Sequence, residues 1–225
     1  MTITEADTEF KFRLDKLDAL NYPNFLPEEI DLILNNAQER FIKQRYGFNN
    51  IKRQSFEETE KRTNDLKNLV VNSVITPNVY NSNNIDVNAR FITLPSDFWF
   101  TIQERCSISC VVCGITATNL VEVIPTTHAD FSKDISDPFK KPDNSKVLRL
   151  MGLGNTELIS NCTIVDYRLR YLKRPVSVSI TSGTTFELSE HTHSEIIDEA
   201  VKIALETIQD SRTNTFNPLI NNTNE

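Results

Sequence analysis

The stretch Thr181–Asp210 constrains this chain more than any other, because it holds the cleanest amphipathic helix in the sequence. Ile197, Ala200, Val201, Ala204 and Ile208 recur at helical spacing, and Ile196 and Ile203 widen the stripe. Asp198, Glu199, Lys202, Glu206 and Gln209 take the opposite face. Thr192 followed by Glu195 has the spacing of a capping box and predicts where the helix starts. Ahead of it, Cys162–Pro175 alternates β-branched and aromatic residues and reads as a long strand. Small residues at Ala200 and Ala204 allow another helix to approach closely. The expectation is that this helix packs on the N-terminal helices and ties the two ends of the chain together.

Those N-terminal helices are legible in turn. Thr4–Leu20 puts Ala6, Phe10, Leu14, Leu17 and Leu20 on one face. Pro27–Tyr46 opens on a proline and two acids, carries the stripe Ile30, Ile33, Leu34, Ala37 and Phe41, and is followed by Gly47. A second capping-box pattern, Ser55–Glu58, predicts a third helix running to about Ser73 and stopped by Pro77. Then the character changes. Arg90–Leu94, Cys106–Cys113, Thr118–Ile124, Lys146–Met151 and Glu157–Ser160 read as strands, with turns at Gly114 and around Gly152 and Gly154. Phe98–Phe100 reads as an aromatic anchor, Thr127–Ile135 as a short helix and Asp137–Asn144 as an exposed loop.

Runs of helices followed by runs of strands imply an α+β fold. The expected architecture is a helical bundle, made of the N-terminal helices and the long C-terminal helix, with a mostly antiparallel β insertion. The expected divisions are 1–76 and 181–210 for the helical body, 77–180 for the β insertion and 211–225 for a flexible docking tail. That tail carries Phe216, Leu219 and Ile220 around Pro218, which forbids a continuous helix.

Charge and composition remove several function classes. A net charge of −7 argues against general affinity for nucleic acid, which comes from Lys and Arg neutralising phosphates. The same charge suits a surface past which DNA slides. Five glycines are too few for a Gly-rich phosphate cradle, and Gly152-Leu153-Gly154 lacks the remaining glycine of a dinucleotide fingerprint. No apolar run reaches the length of a membrane span, and the polar start MTITEADTEFKF is not a signal peptide.

Candidate chemistry is sparse. Cys106, Cys110 and Cys113, with Cys162, suggest metal ligands, but on a strand Cys106 and Cys110 stand roughly 13 Å apart. Four reduced, buried cysteines in a reducing compartment are expected. His191 and His193 abut a helix start, where residues two apart diverge, so a cap-region role or plain solvent exposure is expected rather than a metal. An enzyme whose site is assembled from His128, Asp166 and Cys162 is the alternative in another class, and a monomeric regulatory binding module is a further one. No catalytic, cofactor or metal residue is assigned. Lys43, Arg45, Lys52 and Arg53 form basic patches that contact DNA or an acidic partner subunit, or else are cations favoured at a helix C-terminus and in a solvated loop.

Two stretches carry a resemblance. NYPNFLPEEIDLILNNAQERFIKQRYG (Asn21–Gly47), continued by SFEETEKRTNDLKNLV (Ser55–Val70), resembles the N-terminal signature of structural ring proteins from tails of crAss-like bacteriophages. YLKRPVSVSI (Tyr171–Ile180) and FELSEHTHSEIIDEAVKIALE (Phe186–Glu206) are similar to the closing part of phage head–tail connectors. The likeness spans roughly half the chain and leaves out the β insertion. It implies a non-enzymatic virion protein, made in the host cytoplasm and placed near the portal vertex. Its implied partners are itself in a ring of about twelve, the portal protein and other tail ring proteins. Double-stranded DNA would touch it only as non-specific channel contact, and no membrane is implied. Lys43, Arg45, Lys52, Arg53, Phe216, Leu219 and Ile220 are the expected interface residues. A lower tail-barrel ring that does not touch the portal is the near alternative.

Overall fold

The computed structural model describes residues 1–15, 25–47, 57, 59–78, 86–112, 114–152 and 155–208. Its helices are α1 (Ile3–Asp15), α2 (Pro27–Tyr46), α3 (Glu60–Leu66), α4 (Phe131–Ser136) and α5 (His193–Ile208). Its strands are β1 (Val70–Ile75), β2 (Ala89–Ile92), β3 (Phe98–Val112), β4 (Ile115–Pro125), β5 (Lys146–Met151), β6 (Thr156–Ile159) and β7 (Thr163–Lys173). The fold is α+β, and contacts divide it into two units that break after Leu69 and after Arg174.

In the helical unit, α5 packs against α1 and α2. The stripe read from its sequence is buried: Ile196, Ile197, Ala200, Val201, Ile203 and Ala204. Ala6, Phe10 and Leu14 of α1 and Ile30, Ile33, Leu34, Ala37 and Phe41 of α2 are buried with the same periodicity. Arg13 of α1 donates to Asp198 and to the Ser194 carbonyl (3.0 Å). The helix predicted from Thr4 is described as far as Asp15, and Leu17 and Leu20 lie outside the described residues. At the start of α2, the Leu26 N–H donates to Glu29 Oε2 at 2.9 Å. Its last turn closes when the Gly47 N–H donates to the Lys43 carbonyl.

Two local expectations are corrected here. Thr192 and Glu195 do not form a capping box: the Thr192 hydroxyl donates to the Ser189 carbonyl at 2.7 Å, and Glu195 faces Arg45 and Lys61. The third helix is shorter than predicted. It ends at Leu66, a 3-10 turn covers Lys67–Leu69, and Val70–Ile75 is a strand of the other unit. Val70, Val71, Val74 and Ile75 are β-branched, and pairing with β7 along all six residues of β1 outweighs the helical spacing. Ser55, the start of the second capping-box pattern, lies outside the described residues.

The other unit is one curled, seven-stranded sheet in the order β1-β7-β3-β4-β5-β6-β2. Neighbours run antiparallel except β4 and β5, which are parallel. All seven strands contribute to one cluster, including Ile92, Cys106, Ile108, Val121, Val147, Leu158 and Tyr167, with Val71 and Ile75 packed against it. The opposite face of β2, β5 and β6 is covered by α4 through Phe131, against Ala89, Leu148, Leu150 and Ile159. β3 runs for fifteen residues from Phe98, so the predicted aromatic anchor is the start of a strand. Gly114 turns β3 into β4 with φ 78°, a conformation that favours glycine.

The cysteine expectation is overturned. Cys110 and Cys162 are disulfide-bonded, with Cα atoms 5.0 Å apart. Spacing along one strand could not show this, because the partner comes from the neighbouring one. The pairing Ser109↔Thr163 brings Cys110 opposite the residue that precedes β7. Cys106 is a buried free thiol, and burial pushes it up to about 12. Cys113 lies outside the described residues.

Candidate assembly surfaces

The basic residues singled out in the sequence divide. Lys43 is exposed and pairs with Glu39 one turn earlier at 3.2 Å. Arg45 is only 2% exposed and works inside the helical unit. Its guanidinium pairs with Asp65 at 3.1 Å and with Glu195, and lies 4.9 Å from the centre of the Phe41 ring. Asp65 also meets His191 Nε2 at 2.8 Å, and Lys61 meets Glu195 at 3.3 Å. One buried cation thus joins α2, α3 and α5, an arrangement whose three segments are far apart in sequence. Lys52, Arg53, Phe216, Leu219 and Ile220 lie outside the described residues.

The two closing histidines part: His191 is exposed and turns to Asp65, while His193 serves the cap region. His193 is buried, its Nε2 meets the Leu188 carbonyl at 3.0 Å, and its ring packs on Phe186. Burial holds its imidazole below the ordinary range. A second polar device was missed in the sequence. Asp31, Asn35 and Gln38 lie on one face of α2 at spacings of four and three. Asn35 both accepts from the Val178 N–H and donates to the Val178 carbonyl, each at 2.9 Å. Asp31 accepts from the Ile180 N–H at 2.8 Å, and Gln38 donates to the Val176 carbonyl at 3.4 Å. The i, i+4, i+7 spacing of short polar residues was the available signal.

The residues of the alternative enzyme reading have separate employments. His128 Nε2 meets the Met151 carbonyl at 2.9 Å. Asp166 accepts from Ser107 at 2.8 Å and from Arg168 at 3.1 Å. Cys162 is bonded to Cys110. Among the described residues no group of three or more His, Cys, Asp or Glu stands close enough to hold a metal ion.

A cleft of about 620 Å³ opens where β3 and β4 part company. The two strands pair from Val112↔Ile115 to Arg105↔Glu122, and beyond that β4 turns to pair with β5. Glu104 and Arg149 line the cleft as a buried ion pair, next to Tyr167. Burial raises the Glu104 carboxyl while the Arg149 cation pulls it the other way, and burial with the nearby Glu104 raises the Tyr167 phenol. This pair bridges the split in the sheet.

On another face, Arg105 and Arg168 are register partners, and with Arg170, Asn72 and Val74 they line a shallow groove. Arg168 leans on Asp166, and Arg170 donates to Asn72 at 2.8 Å. This basic stripe in an acidic chain is not a run of neighbouring cations in the sequence, so it does not read there as a basic patch. Alternate cations at 168 and 170 on a strand were the signal.

The sheet also leaves backbone uncovered. Among the described residues β1 pairs on one side only, with β7, and residues 115–121 of β4 pair on one side only, with β3. Val74 is 67% exposed on β1, Val111 and Ile115 are each 71% exposed beside the Gly114 turn, and Leu120 is 44% exposed. An uncharged strand edge of this kind is a template for pairing with another chain.

A sheet tied by a disulfide, one-sided strand edges and a few buried ion pairs fit the class of structural proteins. Comparison with known proteins gives that class a family. Residues 1–216 match the phage tail ring protein 3/4 family, and the chain belongs to it. It is similar to ring protein 3 of Bacteroides phage crAss001, with 28% identity over 199 residues, covering 81% of this chain and 86% of that one. It is also similar to ring protein 4/5 of the same phage, with 24% identity over 237 residues, covering 91% and 92%. The protein is therefore a structural ring component of a crAss-like phage tail and is located in the virion. Among the described residues no helix is long and apolar enough to cross a membrane.

Proposed function

We propose that copies of this chain close a ring of about twelve in the tail, join the portal protein to the tail barrel and continue the DNA channel. The observation that carries this reading is the family match along residues 1–216, which takes in both units. The net charge of −7 supports a conduit that lets phosphate slide past without holding it. Residues 211–225 act as the docking tail: an extended segment of that length reaches as far as roughly 50 Å, and burying Phe216, Leu219 and Ile220 on a neighbour supplies the attachment. Lys43, with Lys52 and Arg53, supplies cations to the same contacts.

The test is a symmetry-resolved image of purified particles with this chain traced in it. A closed ring directly beneath the portal is expected. A ring of this chain further down the stack would favour the second reading, a lower tail-barrel ring. That reading has its own support, because the chain is similar to ring proteins carrying different numbers in one phage. Particles without this chain would overturn both.

A further inference from the structure

We propose that neighbouring copies join by sheet continuation, with β1 of one copy adding antiparallel to residues 115–121 of β4 in the next. This rests on the ring reading above and names the contact that closes the ring.

β2, β1 and residues 115–121 of β4 each offer a strand edge, and they are not equivalent. β2 carries Arg90 and is bridged at Phe91 by Asn78. Charge and a covering bridge are the usual guards of an edge. β1 reads VVNSVI, and residues 115–121 read ITATNLV. Neither contains a charged residue or a proline, so neither is guarded. Both are rich in β-branched residues, and their lengths are comparable. Among the described residues, the backbone of neither is bonded to anything but its single partner strand.

A ring of identical copies needs a heterologous contact, in which two different surfaces of the same molecule meet. β1 and the free part of β4 are two different surfaces. Pairing β4 with β4 about a two-fold axis would stop at a dimer, and so would β1 with β1. Direction is also settled by topology. β1 is antiparallel to β7, β7 to β3, and β3 to β4, so within one copy β1 and β4 run in opposite directions. In a ring of about twelve, each copy is turned by only about 30° relative to the last, so strand directions are nearly preserved. β1 therefore meets the neighbour's β4 antiparallel. Such a joint adds main-chain hydrogen bonds and covers Val74, Ile115 and Leu120.

The test uses the full chain assembled into particles. Val74→Lys places a charge on one edge and Thr118→Lys on the other. Both positions are exposed, so the free proteins keep the far-ultraviolet spectrum and melting midpoint of the unaltered chain. Each variant alone is expected to enter particles at least tenfold less than the unaltered protein. In parallel, a cysteine at Val74, which shares a sheet face with residues 116, 118 and 120, is combined in turn with one at Thr116, Thr118 or Leu120. At least one pair should give a ladder of covalent multimers on oxidation of particles, and the single variants should not. Lysine variants that build rings at normal copy number, or the absence of a ladder from every pair in particles that carry the ring, would overturn the proposal while leaving the ring itself standing. If the unaltered chain forms no ring in particles, the ring reading falls instead.

Discussion

The two units solve the same problem with different materials. The helical unit is held by side chains reaching between segments remote in sequence: Arg45 to Asp65 and Glu195, Arg13 to Asp198, and Asp31 and Asn35 to the backbone at 178–180. The sheet unit is held by backbone ladders, a cluster fed by all seven strands and the Cys110–Cys162 bond. A helix satisfies its own backbone and turns only side chains outward. A sheet satisfies its backbone through neighbours, so its last strands keep donors and acceptors to offer. This is why, among the described residues, the helical unit leaves only side chains at its surface while the sheet unit keeps one-sided strand edges.

The largest expected effect breaks the helical side of this contrast. Arg45→Ala leaves the buried Asp65 without its cation and Glu195 with Lys61 alone, and should cost about 3–5 kcal/mol. Calorimetry should show the loss in the helical transition, and an unshifted thermogram would refute the central role given to Arg45. On the sheet side, Cys110→Ser with Cys162→Ser opens a crosslink of sequence separation 52 and should cost about 2–4 kcal/mol. Equilibrium urea unfolding with and without reductant checks this, since reductant should weaken the unaltered chain and leave the double variant unmoved.

A smaller effect is expected at the hairpin turn. Gly114→Ala meets no atom within 4 Å, so its cost is that of the φ 78° backbone alone, about 1 kcal/mol. A loss several times larger in denaturant titration would mean that the hairpin is more constrained than its open surroundings suggest. The smallest effect concerns pH. The folded chain holds the His193 imidazole below its ordinary value, so the unfolded chain takes up the proton first. Its stabilising contribution is complete above the unfolded value, about 6.5, and is lost as pH falls through that value toward the folded one. His193→Gln should flatten this part of the pH–stability curve, and an unchanged slope between about pH 7 and 5 would assign the acid response to other groups.

Legibility followed the range of the interactions. α2 was read to its first and last residue, and most of the buried stripe of α5 was read, Leu205 being missed and Ile208 only half-buried, because a 3.6-residue period records which face meets the core. Most strands were placed, and the Gly114 turn was found from the only glycine between two alternating runs. Reading failed where a neighbour decided. Val70–Ile75 has helical spacing and β-branched composition together, and pairing with β7 settled the conflict. The Thr192–Glu195 pattern is local, but Glu195 is claimed by Arg45, 150 residues away in sequence. Of the expected interface residues, Arg45 was visible as a cation at a helix end, whereas its burial was not.

The sequence by itself determined the α+β class, the amphipathic faces of α1, α2 and α5 and the resemblance to tail ring proteins. Each of these is written in residue spacing or in a contiguous motif. Tertiary structure alone decided that Cys110 faces Cys162, that β4 runs parallel to β5, and that β1 and the 115–121 edge have no second partner among the described residues. All three are matters of strand order and register. A strand's own residues state which face it buries, but not which strand lies beside it or at what offset, because backbone hydrogen bonds are the same for every residue but proline.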